Sequence, residues 1–143
     1  MITAIYNRLS GDATLLTALT GGVHDAQAAQ EISRQNTPGA FDANKELKPC
    51  ALVKMETATP WGPHHDSGRL YVQVFYYQCA GATSIGTAIH RVYTLLHRTQ
   101  LTPTDGSGCY DIRHADDLLG LEDQALECGL AISRYVATIQ RAR

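Results

Sequence analysis

The run from Arg69 to Cys79 constrains this chain more than any other segment. Leu70, Val72, Val74 and Tyr76 alternate with Tyr71, Gln73, Phe75 and Tyr77. A strand's two-residue period therefore puts one apolar set on one face and a largely aromatic set on the other. The second face is too aromatic for a surface that meets only water, so either a helix or another subunit is expected to cover it.

The flanking segments supply that strand with partners. Ile2, Ile5, Tyr6 and Leu9 share one helical face by their i, i+3, i+4, i+7 spacing, and Ser10-Gly11 breaks the helix. Asp12 reads as the N-cap of a second short helix with Leu15, Leu16 and Leu19 on its apolar face. Gly21-Gly22 closes it, and Val23 to Ala26 reads as a short strand. Cys50 to Thr57 alternates as a strand, and the turn-rich stretch Pro60 to Gly68 connects it to the aromatic strand. Thr83 to Arg98 is the clearest helix, with Ile85, Ala88, Ile89, Val92, Leu95 and Leu96 as its apolar stripe. Two more strands are expected at Cys109–Ala115 and Gly129–Ile139, separated by an acidic connector holding Asp116, Asp117, Glu122, Asp123 and Glu127. The sum is an α+β fold: a mainly antiparallel β-sheet of about four to five strands, packed by one long α-helix plus short N-terminal helices.

One stretch resists this scheme. Pattern fades between residues 27 and 49, apart from one helical turn near Ala28. A compact domain rarely carries an unstructured connection longer than about 12 to 15 residues unless that loop has a job. It reads either as a loose insertion or as an arm that folds against a partner. The 143 residues otherwise fit one domain, with 44% hydrophobic residues to fill its core.

Charge and chemistry narrow the function. Twelve basic against fourteen acidic residues leave a net charge of -2, which argues against a protein that grips nucleic acid through a basic surface. No apolar run approaches the roughly 18 to 20 residues of a membrane span, and the N-terminus has no signal-peptide pattern, so synthesis in a cytoplasm is expected. Phosphate-binding glycine loops, nucleophile elbows and H-E-x-x-H are absent from the sequence. His64-His65-Asp66 is the best metal candidate, but adjacent residues of an extended chain point to opposite faces. His90 and His97, seven residues apart, read as a polar flank of the long helix. Cys50, Cys79, Cys109 and Cys128 contain no C-x2-C pair, so they read as small buried side chains or free thiols. The acidic connector lacks the pattern of a calcium loop, and Arg134, Arg141 and Arg143 are too few to indicate DNA binding.

Read together, these segments resemble the small tail-completion proteins of long-tailed bacteriophages, the tail terminator and head-to-tail joining family. The resemblance lies in Ile5-Tyr6-Asn7-Arg8-Leu9-Ser10-Gly11-Asp12 with Leu15-Leu16, and in Gly21-Gly22-Val23-His24-Asp25. It continues through the proline-led strand Pro49-Cys50-Ala51-Leu52-Val53, the long strand Arg69–Tyr77 and the helix Ile85–Leu101. Such a resemblance implies a structural virion protein of the tail-neck region that is not an enzyme and needs no catalytic residue, metal or cofactor. Its copies would form a hexameric ring on the last ring of tail tube protein, stop polymerisation, and present a surface to the head-completion or connector protein. DNA would pass through the lumen without sequence-specific binding, a task that suits a near-neutral chain. A neck joint of the same fold is the alternative, and a small enzyme or a soluble binding module stays open. Trp61, Tyr71, Phe75, Tyr77, Arg34 and Phe41 are the candidate contacts to neighbouring subunits or to the tube, because aromatic and arginine side chains anchor buried interfaces.

Overall fold

The structure, a computed structural model, describes residues 1–63 and 66–141. The His64-His65 pair and Arg143 lie outside the described residues. Helices α1 (Ile2–Ser10) and α2 (Ala13–Ala18) lead into strand β1 (Val23–Asp25) and the one-turn helix α3 (Ala26–Ala29). A 3-10 turn at Pro38–Ala40 precedes β2 (Cys50–Pro60) and β3 (Ser67–Gln78). Helix α4 (Thr83–Leu96) and the strands β4 (Gly108–Asp123) and β5 (Cys128–Gln140) complete the chain. The five strands form one sheet in the order β1-β2-β3-β5-β4, antiparallel throughout except for the β1–β2 pair. The α+β class is as the sequence indicates.

That single parallel pair explains the patternless stretch. Parallel neighbours cannot be joined by a tight turn and need a crossover of a dozen or more residues. Residues 26–49 are this crossover. They lie across the second face of the sheet, where Ile32 and Ala40 pack with Cys50, Leu52, Tyr77 and Cys128. Local hydrogen bonds hold the segment in place. Thr37, 2% exposed, accepts from Ser33 N and donates to Ser33 O, and the Asp42 carboxylate accepts from Asn44 N and Glu46 N. The loose-insertion reading is therefore corrected: the backbone is ordered because a crossover is obligatory and has a sheet face to bury against. Gly21 marks its far end. Its N–H donates to Pro49 O, and a Cβ there would stand 2.9 Å from that of Cys50.

The opposite face carries the main core. Leu70, Val72, Val74 and Tyr76 of β3 meet Ile85, Ala88, Val92, Leu95 and Leu96 of α4, together with Ile2, Ile5 and Leu9 of α1. The cover is thus the long helix α4 together with the short N-terminal helices α1 and α2. Leu15 and Leu19 reach this core, whereas Leu16 points outward and is exposed. His97 falls just past the end of α4, so it is not on a shared helical face with the exposed His90.

Asp12 joins the helices. One carboxylate oxygen accepts from Leu15 N at 2.8 Å, capping α2 as expected, and the carboxylate also receives a two-pronged Arg91 guanidinium at 2.8 Å on each oxygen. A different device starts α4. Gln78, buried at the end of β3, accepts from Ser84 N and Ile85 N through Oε1 and donates to Ala80 O through Nε2. This side chain from six residues upstream replaces the missing local N-cap.

The acidic connector is the main correction to the sequence reading. Strand β4 continues through it to Asp123, and only a short turn separates it from β5. Three register shifts interrupt the β4–β5 ladder, at Cys109/Asp111, His114/Asp116 and Leu118/Leu121. Each extra residue moves the following side chains to the other face, which erases the alternation by which a strand is recognised.

Asp12→Ala is expected to lower stability by about 1–2 kcal/mol in urea melts, since the helix cap is lost. The Arg91 hydrogen bonds hold the Asp12 carboxyl below its ordinary range. Its ionised form therefore stabilises the fold above the unfolded-state pKa, and that contribution disappears as pH falls through the lower folded value. The stability gap between the wild-type chain and Asp12→Asn should accordingly close as pH falls through and below the ordinary carboxylate range. Gln78→Ala, which orphans two N–H groups of α4, should cost about 1–3 kcal/mol in the same melts.

Candidate interaction surfaces

The six candidate contact residues are not gathered at one spot. Tyr71, Phe75 and Tyr77 alternate along the second face of β3, as their spacing requires. Tyr77 is buried under the crossover and packs in its small core, so it is a structural residue of this chain. Phe75 and Phe41 are half-buried at the edge of the same cluster. Arg34 lies on the outside of the crossover, its guanidinium 5.2 Å from the centroid of the Phe41 ring while Nε donates to Lys45 O. The chain's own crossover thus covers one end of the aromatic face.

The other end stays open. Tyr71 and Gln73 are half-exposed, flanked on β5 by half-exposed Ile132, Arg134 and Val136. Trp61 follows the last residue of β2 in the β2–β3 turn and is 48% exposed. Arg69 stacks on it, with the guanidinium carbon 3.3 Å from the ring centroid. Cation–π stacking of this kind holds a large ring in place while about half of its surface meets water. Lys54, 6.0 Å above Phe75, and the Arg134–Asp116 pair give this surface mixed charge. Hydrogen bonding to Arg134 holds the Asp116 carboxyl below its ordinary range.

A second apolar surface lies on the helix side. Ile85 and Ile89 of α4, with Leu119 and Leu121 of β4, line a groove of about 400 Å³. Leu119 is 65% exposed. The groove's signal in the sequence is Leu118-Leu119-Gly120-Leu121, an apolar run inside an acidic segment.

The polar cluster next to this groove has a structural geometry. Asp117 accepts from Ser133 Oγ at 2.6 Å and pairs with His114 Nε2 at 3.0 Å. The serine proton is directed to the carboxylate and away from the imidazole, so His114 does not activate that hydroxyl as a base. The trio ties β4 to β5 across the bulges. His97 Nδ1 accepts from His114 N, and the His97 ring stacks on Tyr93 at 4.6 Å. Among the described residues no group of three His, Cys, Asp or Glu is placed to hold a metal ion.

Strand edges form the third surface. β4 is an edge strand of sixteen residues, and β1 pairs with β2 only at Ala51–Val53. Beyond Val53, β2 offers a second unpaired edge on the opposite side of the sheet, its residues exposed from Lys54 to Pro60.

This architecture aligns with a chain from the virion of a native gene transfer agent particle, with a TM-score of 0.75. The likeness is one of fold. Only 12% of residues are identical, yet the match covers 98% of this chain and 94% of the other. No protein-family model matches the sequence, and no curated protein matches it.

Trp61 is the one tryptophan of the chain, so its fluorescence reads the β2–β3 turn alone. Arg69→Ala is expected to increase acrylamide quenching of Trp61 while leaving stability within about 0.5 kcal/mol of wild type. An unchanged quenching constant would mean that the stack does not shield the ring.

Proposed function

We propose that this protein is a structural component of a phage-like virion, a tail terminator whose copies close into a six-membered ring on the end of the tail tube. The observation that carries this reading is the fold shared over nearly the whole chain with a virion chain. The resemblance of the sequence to tail-completion proteins points the same way.

The surfaces supply a physical basis. A cyclic ring needs two different patches on each subunit, one meeting the other on the neighbour. The unpaired edges of β4 and of Lys54–Pro60 lie on opposite sides of one sheet and satisfy that requirement. Trp61, Tyr71 and Arg34, together with the partly buried Phe75 and Phe41, are the side chains available to neighbours or to the tube, and Tyr77 supports them from beneath the crossover. Capping the tube in this way is a structural task rather than a catalytic one. A net charge of -2 lets DNA pass through a lumen without being held by its phosphates. The ring's other side would meet the head's connector.

Native mass spectrometry over a concentration series, with negative-stain images of the same sample, tests the reading. A hexamer with an open centre, or a monomer that assembles on purified tail tubes, is expected. A monomer that ignores tail tubes would overturn it, and capture by connector-bearing heads alone would move the protein to the neck joint. Trp61→Ala should weaken ring or tube association at least about tenfold with the melting curve unchanged, as for an aromatic interface anchor.

A further inference from the structure

Three of the four cysteines converge at one end of the sheet. Cys50 opens β2, Cys128 opens β5, and Cys79 follows the last residue of β3. Cys50 and Cys128 belong to the small core under the crossover, and Cys79 stands exposed just past the end of β3. All three are free thiols.

Register singles out one pair. Along β3 and β5, Tyr77 stands opposite Leu130 and Gln78 opposite Gly129, the last pair of the ladder, and one further step of that register would set Cys79 opposite Cys128. Directly opposed residues of antiparallel strands have Cα atoms about 4.5–5.5 Å apart, within the roughly 4.4–6.8 Å that a disulfide spans. Cys79 and Cys128 line one cavity together with Asp123 and Gly129. Cys50 is not part of that cavity's lining. It sits opposite Tyr77 on β2, one strand beyond β3 from Cys128, and two strand spacings of about 4.8 Å exceed the disulfide limit. Its relation to Cys79 is diagonal, at about 7–8 Å. Cys109 lies at the far end of β4 and packs on the helix side.

We propose that Cys79 and Cys128 form a reactive dithiol that a hydroperoxide converts into a cross-strand disulfide. Their environments divide the work. Cys79 is exposed and lines an open cavity of about 730 Å³ beside Arg34, Glu46 and Glu127, so a small oxidant reaches it. Cys128 is buried, and burial pushes its thiol up to about 12, so it is a poor first target for the oxidant.

In the first step the Cys79 sulfur attacks the peroxide, the O–O bond breaks, and one water leaves. Cys79 becomes a sulfenic acid. In the second step the Cys128 sulfur attacks Cys79, the S–O bond breaks, and the hydroxide departs with the Cys128 proton as a second water. Two thiols have lost two electrons and one hydrogen peroxide has become two waters. The new bond ties the end of β3, next to the Gln78 that caps α4, to the first residue of β5. The pairing stands on strand register and does not depend on the ring reading.

The test uses the full chain, reduced, freed of reductant and given one equivalent of hydrogen peroxide. Two of the four thiols should disappear, non-reducing peptide maps should join the Cys79 and Cys128 peptides, and dithiothreitol should reverse the change. Cys50→Ser should behave like the wild type. Cys128→Ser should stop at a Cys79 sulfenic acid trapped by dimedone, and the surface variant Cys79→Ser should give no intramolecular bond. A Cys50 linkage, predominant intermolecular dimers, or four surviving thiols would overturn the proposal.

Discussion

The three-residue parallel pairing of β1 with β2 shapes more of this molecule than its size suggests. Running parallel, the two strands cannot share a hairpin, so the chain must leave the sheet and return from the other end. Residues 26–49 make that journey, and the second face of the sheet rewards it with apolar surface at Tyr77 of β3 and at Leu52 and Cys50 of β2. A segment without periodicity of its own thereby becomes ordered. The aromatic face is divided between an end that the chain covers itself and an end that it leaves open.

On the other side, order depends on two polar side chains acting at a distance. Asp12 stands between α2, whose N-terminus it caps, and Arg91 of α4. Gln78 ends β3 and begins α4 with one amide group. Both convert a helix terminus, where backbone donors lack partners, into a joint between elements. The apolar contacts of Leu70, Val72 and Val74 then determine how tightly the layers pack, and the two polar joints determine where the helices start.

Elements with an intact period were legible in the sequence. The alternation of Arg69–Cys79, the 3.6-residue stripe of Ile85–Leu96 and the Asp12 cap each signal locally what the fold does. Strand β4 was not legible past Ala115, because three bulges shift the alternation and its carboxylates look like a solvated loop until Asp116 meets Arg134 and Asp117 meets Ser133. The Gln78 cap was hidden for a related reason, since a residue six positions upstream bears no local mark of its partner. Of the candidate contacts, the openness of Trp61 and Tyr71 follows from turn position and strand parity. The burial of Tyr77 follows from a crossover whose path only the fold reveals.

The bulges of β4 bear on solubility as well as on register. A long, flat, unpaired edge is a template for indefinite strand addition, which ends in fibres. Each bulge bends its strand and sharpens the local right-handed twist. Any copy that adds to this edge is rotated away from the plane of the first sheet, so successive additions accumulate curvature. The same sixteen residues therefore disfavour a straight ribbon of copies added edge to edge.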